Sequence, residues 1–124
     1  MAAFESVFSS FRQSAAAVVV GTDPFFESRR LRIVDLAARY AVAAMYPARE
    51  YVTAGGLISY GISISDNYRQ AGIYTGRLLN GAKVADLPVL QPTRFELFIN
   101  VSTANKLGIS VPNSMQLLAD EVIE

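Results

Sequence analysis

The sequence predicts an α/β fold of parallel βαβ units, and three observations carry that prediction. Short apolar runs at residues 15–20, 42–46 and 57–62 alternate with helix-patterned stretches, too far apart for hairpin connections. Gly21-Thr22-Asp23-Pro24, Pro47 and Gly55-Gly56 punctuate those runs with residues that turn a chain. The segment Gly55-Gly56-Leu57-Ile58-Ser59-Tyr60-Gly61, followed by an amphipathic stretch over 66–80, has the grammar of a buried strand feeding a right-handed crossover helix.

Each element follows from its local pattern. Over 4–11, Phe4, Val7, Phe8 and Phe11 fall at helical spacing with Glu5 and Arg12 on other faces, which predicts a short amphipathic helix. The β-branched run 15–20 reads as a strand covered on both faces, and Ser28 is placed to cap the next helix. Over 29–41, Leu31, Val34 and Ala38 share one face, widened by Leu36 and Tyr40. A strand at 42–46 ends at Pro47, two helical turns occupy 48–54, and Gly55-Gly56 stops them before the strand 57–62.

A longer helix is expected over 66–79, capped by Asp66 and ended by Asn80-Gly81. Tyr68, Ile73, Leu78 and Leu79 are its expected apolar contacts, and Gly72 and Gly76 suggest close backbone packing. Residues 86–92 read as an extended linker held by Pro88 and Pro92. Residues 95–101 have strand character, Ser102 or Thr103 caps a short helix ended by Gly108, and Pro112-Asn113-Ser114 introduces a final helix.

Composition bounds the function. At 124 residues, 52% apolar and 18% charged, the chain suits one compact domain with apolar surface left over, so self-association is expected. Eleven basic residues balance eleven acidic ones, which argues against nucleic acid or anionic lipid as partners. Arg29, Arg30 and Arg32 cluster locally, but Glu27 and Asp35 flank them, as on a solvated helix face. With neither cysteine nor histidine, the usual transition-metal ligands and the commonest general base are missing, and no metal or other cofactor is expected. Ser59 with Asp66 lacks a histidine or positioned lysine, and no phosphate-loop sequence occurs, so catalysis is not expected. The start Met1-Ala2-Ala3-Phe4-Glu5 does not read as an export signal, and 15–20 is too short to span a bilayer.

Open parallel sheets bind ligands beyond the carboxyl ends of their strands. That edge should collect Thr22 and Asp23, then Tyr46, Arg49 and Glu50, then Ser59, Tyr60 and Asp66. Arg49 has the fork geometry to clamp a carboxylate, Tyr60 offers an aromatic wall with a hydroxyl, and Asp23 an acceptor for an ammonium. Each also has a structural role available: Asp23 as a turn cap, Arg49 and Glu50 as surface charges, Tyr60 and Ser59 as strand residues, Asp66 as a helix cap.

The ordered words Asp23-Pro24-Phe25, Leu36-Ala37-Ala38-Arg39-Tyr40, Tyr46-Pro47, Ala54-Gly55-Gly56-Leu57-Ile58-Ser59-Tyr60-Gly61, Tyr68-Arg69, Ala85-Asp86-Leu87-Pro88-Val89 and Gln91-Pro92-Thr93 carry a resemblance. Phe95-Glu96-Leu97, Ile99-Asn100, Leu107-Gly108 and the ending Ala119-Asp120-Glu121-Val122-Ile123-Glu124 extend it. From Gly21 onward the chain resembles the carboxyl-terminal part of ABC-transporter substrate-binding proteins related to tryptophan and tyrosine uptake. The resemblance implies part of a type I periplasmic-binding-protein fold, in which two α/β lobes close on a small solute and deliver it to a membrane permease. It implies Asp23, Ser59, Tyr60 and Asp66 as ligand-facing residues, with Glu50 beside them.

By the same resemblance, 1–62 corresponds to the tail of a second lobe, and 63–124 to a crossover helix, linker and return segment of the first. The chain is then a truncated remnant matching about the last two-fifths of such a protein. Periplasmic location is implied, or cytoplasmic if the short frame is native. Missing strands would leave bare edges, so copies are expected to form a two-fold homodimer, the second half of one packing on the first half of another. Solute binding should then be weak or absent unless the dimer rebuilds a cleft. The alternative is a structural or regulatory dimeric module that has lost solute binding.

Overall fold

Parallel pairing organises the first half of the chain, in a computed structural model that describes residues 2–14 and 17–124. Ala15 and Ala16 of the expected first strand lie outside the described residues, as does the side chain of Arg12. Among the described residues, β1 (Ala17–Val19), β2 (Ala43–Tyr46), β3 (Ile58–Ile62), β4 (Phe95–Asn100) and β5 (Glu121–Ile123) form one sheet in that spatial order. β1 pairs parallel with β2, Val19 beside Met45, and β2 pairs parallel with β3, Tyr46 beside Ser59. β4 and β5 are also parallel to each other.

The direction changes between β3 and β4. The Asn100 N–H, at the end of β4, donates to the Leu57 carbonyl just before β3, and the Ser63 N–H, just after β3, donates to Arg94 just before β4, both at 2.9 Å. Bonds crossed in that way make β4 antiparallel to β3. The sheet is therefore mixed and mostly parallel, in an α/β architecture.

The chain divides into two compact units, one of residues 1–61 with 96–124 and one of residues 62–95. In the first, α1 (Ala2–Ser14), α2 (Pro24–Glu27), α3 (Arg30–Arg39) and α4 (Arg49–Thr53) accompany β1 to β3. Phe8, Ile33, Val34, Leu36, Ala37, Ala44, Tyr46 and Tyr51 form its buried core. Each large apolar side chain buried there contributes about 1.5–3 kcal/mol. Glu5 of α1 pairs with Arg32 and, at 3.9 Å, with Arg39 of α3, whose second partner is Asp35.

Several local expectations change. The first strand is not covered on both faces: β1 is an edge strand and Val19 is 75% exposed. The order β1-β2-β3 steps in one direction, and right-handed crossovers stepping that way place their helices on a single face. Val18, Ala44, Tyr46 and Ser59 alternate onto the covered side, while Val19, Met45 and Ile58 take the other. Leu31 is exposed, and Ile33 and Val34 carry the buried face of α3 with Leu36 and Ala37.

Ser28 closes α2, its hydroxyl donating back to the Phe25 carbonyl, rather than capping α3. α3 ends with Ala41 at φ 53°, left-handed backbone that an L-residue adopts at a cost, and the Val42 N–H reaches back to the Ala37 carbonyl at 2.9 Å. Beyond β4, α6 (Val101–Lys106) is capped by Asn100, whose Oδ1 accepts from the Thr103 N–H at 2.8 Å, and not by Ser102 or Thr103. α7 (Asn113–Leu118) follows, and then β5, an element not read from the sequence.

The second unit holds α5 (Ile64–Leu79), a 3₁₀ turn at Val84–Asp86 and an extended return. Its cap is Ser63, whose hydroxyl accepts from the Asp66 N–H at 3.4 Å, so Asp66 stands three residues inside and not at the cap. No residue of α5 is buried, and Tyr68, Ile73, Leu78 and Leu79 are exposed rather than packed. A Cβ placed on Gly72 or Gly76 would meet nothing within 4 Å, so these glycines do not mark a close backbone contact. The Tyr74 hydroxyl donates to the Pro88 carbonyl at 2.5 Å and ties the return to the helix.

Candidate functional site

Parallel pairing brings the carboxyl ends of β1, β2 and β3 to one edge of the first unit. Three loops meet there, and each is shaped by its own sequence. After β1, Asp23 accepts the Phe25 N–H at 2.7 Å and caps α2, whose first position is the preset Pro24. After β2, Pro47 and Ala48 lead into α4, with Glu50 exposed in its first turn, where a carboxylate favours the helix dipole.

At the end of β3 the fit is close. A Cβ on Gly61 would lie 2.0 Å from the Pro47 carbonyl oxygen, so only glycine lets β3 lie against the β2–α4 corner. Gly56, before β3, is pressed in the same way between the Tyr46 ring and the Tyr51 carbonyl. Gly56 and Gly61 are required by contact, and Gly55 by its φ of 104°.

Ser59 and Tyr60 take opposite faces of β3. Ser59 is 1% exposed, and its Oγ has no hydrogen-bond partner among the described residues. Its neighbour across the sheet is Tyr46, whose ring stacks on Tyr51 with centroids 4.9 Å apart. Burial raises the hydroxyl pKa of Tyr46 strongly, helped by neighbouring Tyr51. Tyr51 is pushed up to about 12 by burial first and then by the Glu27 carboxylate. Both phenols stay neutral at physiological pH. Tyr60 is 51% exposed, its ring accessible on the less covered face.

Arg49 is committed within the protein. Its guanidinium pairs with Glu121 of β5 at 3.2 Å and lies 5.1 Å from the Phe98 ring centroid, so an internal carboxylate takes the place foreseen for a ligand's. In the second unit, Asp66 accepts two hydrogen bonds from Arg69, at 2.8 and 3.0 Å. Of the expected residues, then, Asp23, Glu50, Ser59 and Tyr60 come to one edge of the first unit, with Ser59 turned inward. Asp66 belongs to the second unit. The sequence reading did not foresee the Tyr46–Tyr51 stack; Tyr46 at a strand end and Tyr51 on the inner face of a short helix were its available signal.

An apolar cleft of about 130 Å³ opens at the start of β3, lined by Leu57, Ile58, Ile99, Ile109, Val111 and Met115. It has no charged lining residue and offers nothing to orient a zwitterion. No cluster of potential metal ligands occurs among the described residues, and no described helix is long and apolar enough to cross a membrane.

Three solved structures resemble this one. A conserved domain protein from Vibrio cholerae superposes with TM-score 0.86 at 21% identity, over 98% of this chain and 41% of its own. The ABC domain from Streptococcus pneumonia in complex with L-Trp gives TM-score 0.85 at 28% identity, over 97% and 42%. A ligand-free, open substrate binding protein with adhesive properties from Clostridium difficile gives 0.68 at 21%, over 96% and 40%. The chain thus spans about two-fifths of each of these relatives. No curated protein sequence matches it. The family model for ABC transporter substrate binding proteins matches residues 1–123, and the chain belongs to that family.

Proposed function

We propose that this chain is a solute-contacting portion of an ABC transporter substrate-binding protein, holding a small solute such as an amino acid without covalent chemistry and working with a membrane permease. The carrying observation is the strand-end edge of the first unit. There the half-exposed Tyr60 and the exposed carboxylates of Asp23 and Glu50 stand in a chain matched to the family over residues 1–123. A ring wall suits an apolar or aromatic side chain, and carboxylates suit an ammonium. The L-Trp held by the relative from Streptococcus pneumonia supports an aromatic amino acid as the solute.

In this reading Tyr60 and Asp23 make the main contacts, Glu50 flanks them, and the unpaired Ser59 hydroxyl accepts or donates a bond when solute is present. Asp66 is held by Arg69 within the second unit. The chain is not an enzyme, and it works outside the cytoplasmic membrane, as its family does in general. It is a truncated portion of the longer family form, a reading supported by its covering 40–42% of the relatives. Copies of it associate, which would cover exposed apolar side chains such as Val19, Leu31 and Leu118.

A thermal-shift series with L-tryptophan and other amino acids tests the reading. A concentration-dependent rise in Tm that Tyr60→Ala abolishes is the expected result; no shift at millimolar solute would refute it. The same exposed apolar surface favours a second reading, a dimeric structural or regulatory module without a solute. Solute silence together with a tight dimer would select that one.

A further inference from the structure

We propose that Glu27 is the positioning residue for Asp23: its carboxylate, held by the buried Tyr51 and by Arg30, fixes the turn that presents Asp23 to solute. The role rests on the reading of Asp23 as a solute contact. α2 is a single turn, and Asp23 and Glu27 are its two ends. The Asp23 carboxylate accepts the Phe25 N–H at 2.7 Å, and the Asp23 carbonyl accepts the Glu27 N–H at 3.0 Å. One turn of helix does not sustain itself, so its placement comes from what its side chains hold.

No residue of α2 is buried. Phe26 packs on the core and Phe25 stacks on Phe4 with ring centroids 5.8 Å apart, but apolar contact is non-directional and leaves the turn free to slide. Glu27 supplies direction. It pairs with Arg30 of α3 at 2.9 Å, and it is the hydrogen-bond partner of the Tyr51 hydroxyl.

Tyr51 is a fixed anchor. It is 1% exposed, its ring lies 14° from parallel with Tyr46, and its carbonyl accepts the Gly56 N–H at 2.8 Å. A buried phenol needs a partner for its O–H, and Glu27 is the one this chain provides. Glu27 adds to the upward pKa shift that burial gives Tyr51, as an ionised acceptor at a phenol does. One carboxylate thereby joins the turn after β1 to α3 and to the helix after β2. A surface pair with Arg30 alone would need only charge. The bond from Tyr51 needs an acceptor in one place, which glutamine also supplies.

The test is L-tryptophan titration followed by amide shifts, on the wild-type chain, Glu27→Ala, Glu27→Gln and Tyr51→Phe. Asp35→Ala, which removes a pair confined to α3, is the control. Circular dichroism checks that each variant folds, and the Phe25 amide shift in solute-free protein reports its bond to Asp23. Glu27→Ala and Tyr51→Phe should each weaken binding about tenfold, as loss of a hydrogen bond to a charged group does, and move the Phe25 amide upfield. Glu27→Gln should rescue both readouts, and Asp35→Ala should change neither. Unchanged affinity in Glu27→Ala overturns the role and leaves the solute reading standing, even if the Phe25 amide moves. Equal loss in Glu27→Ala and Glu27→Gln overturns it too, since charge and not placement is then what counts. A wild-type chain silent to L-tryptophan overturns the solute reading itself, and the positioning role with it.

Discussion

Removing the Ser59 hydroxyl is the sharpest test of how the site is built. Its oxygen is buried without a partner among the described residues, in a row beside Tyr46. A buried polar group left unpaired costs about 1–3 kcal/mol, because it gave up water and received nothing in return. Ser59→Ala deletes that group and leaves a negligible void, so it should stabilise the solute-free protein by about 1 kcal/mol. For a chain of this size, that is a rise in Tm of roughly 3–6 °C. Urea denaturation with an unchanged m-value would show that the gain is in stability and not in the unfolded state. The same variant should reduce the shift produced by L-tryptophan, since a group kept at a cost to stability is one that function uses. A loss of stability by 0.5 kcal/mol or more, on the order of one net hydrogen bond, would refute the reasoning by revealing a bonded hydroxyl.

Other substitutions probe the frame around it. Gly61→Ala should destabilise by about 3 kcal/mol in chemical denaturation, since its Cβ would strike the Pro47 backbone, which cannot swing aside. Gly72→Ala and Gly76→Ala should each stabilise by about 0.5–1 kcal/mol in the same assay, because their added methyls meet nothing and alanine favours helix. Ala41→Gly should gain about 1 kcal/mol by relieving left-handed backbone at the end of α3. Tyr51, with its pKa raised to about 12, and Tyr46, raised in the same direction, fix the alkaline limit. The unfolded phenols ionise from about pH 10 while the folded ones do not, so stability is full below pH 10 and falls as pH rises toward 12. A spectroscopic tyrosine titration should show two late phenols that ionise only on unfolding.

Much of the first half was legible because its signals are local. The alternation that ends at Pro47 and Gly55-Gly56 delivers β2, α4 and β3 nearly where their residues suggest. What failed depended on partners outside the window. Leu31, Tyr68 and Leu79 are as apolar as core residues, yet burial is decided by what lies opposite, and nothing among the described residues covers them. Ser63 outcompeted Asp66 as a cap because its hydroxyl stands three residues ahead of the amide it serves. β5 is three residues long and begins with a glutamate; it exists because Asp120 accepts the Leu97 N–H at 2.8 Å and Arg49 holds Glu121. That last pair also explains why Arg49 looked available in sequence: its partner lies far along the chain. For the site, residue placement at the strand ends was readable from topology alone, whereas the inward turn of Ser59 needed the pairing with Tyr46.

The most direct test of the central claim is an amide chemical-shift titration of the isotopically labelled protein with L-tryptophan. The account predicts saturable shifts concentrated at Thr22, Asp23, Glu50, Tyr60 and Gly61, with affinity weaker than micromolar and loss of the response in Tyr60→Ala. No saturable shift at millimolar solute, or shifts centred on the apolar cleft around Ile99 and Met115, would contradict it.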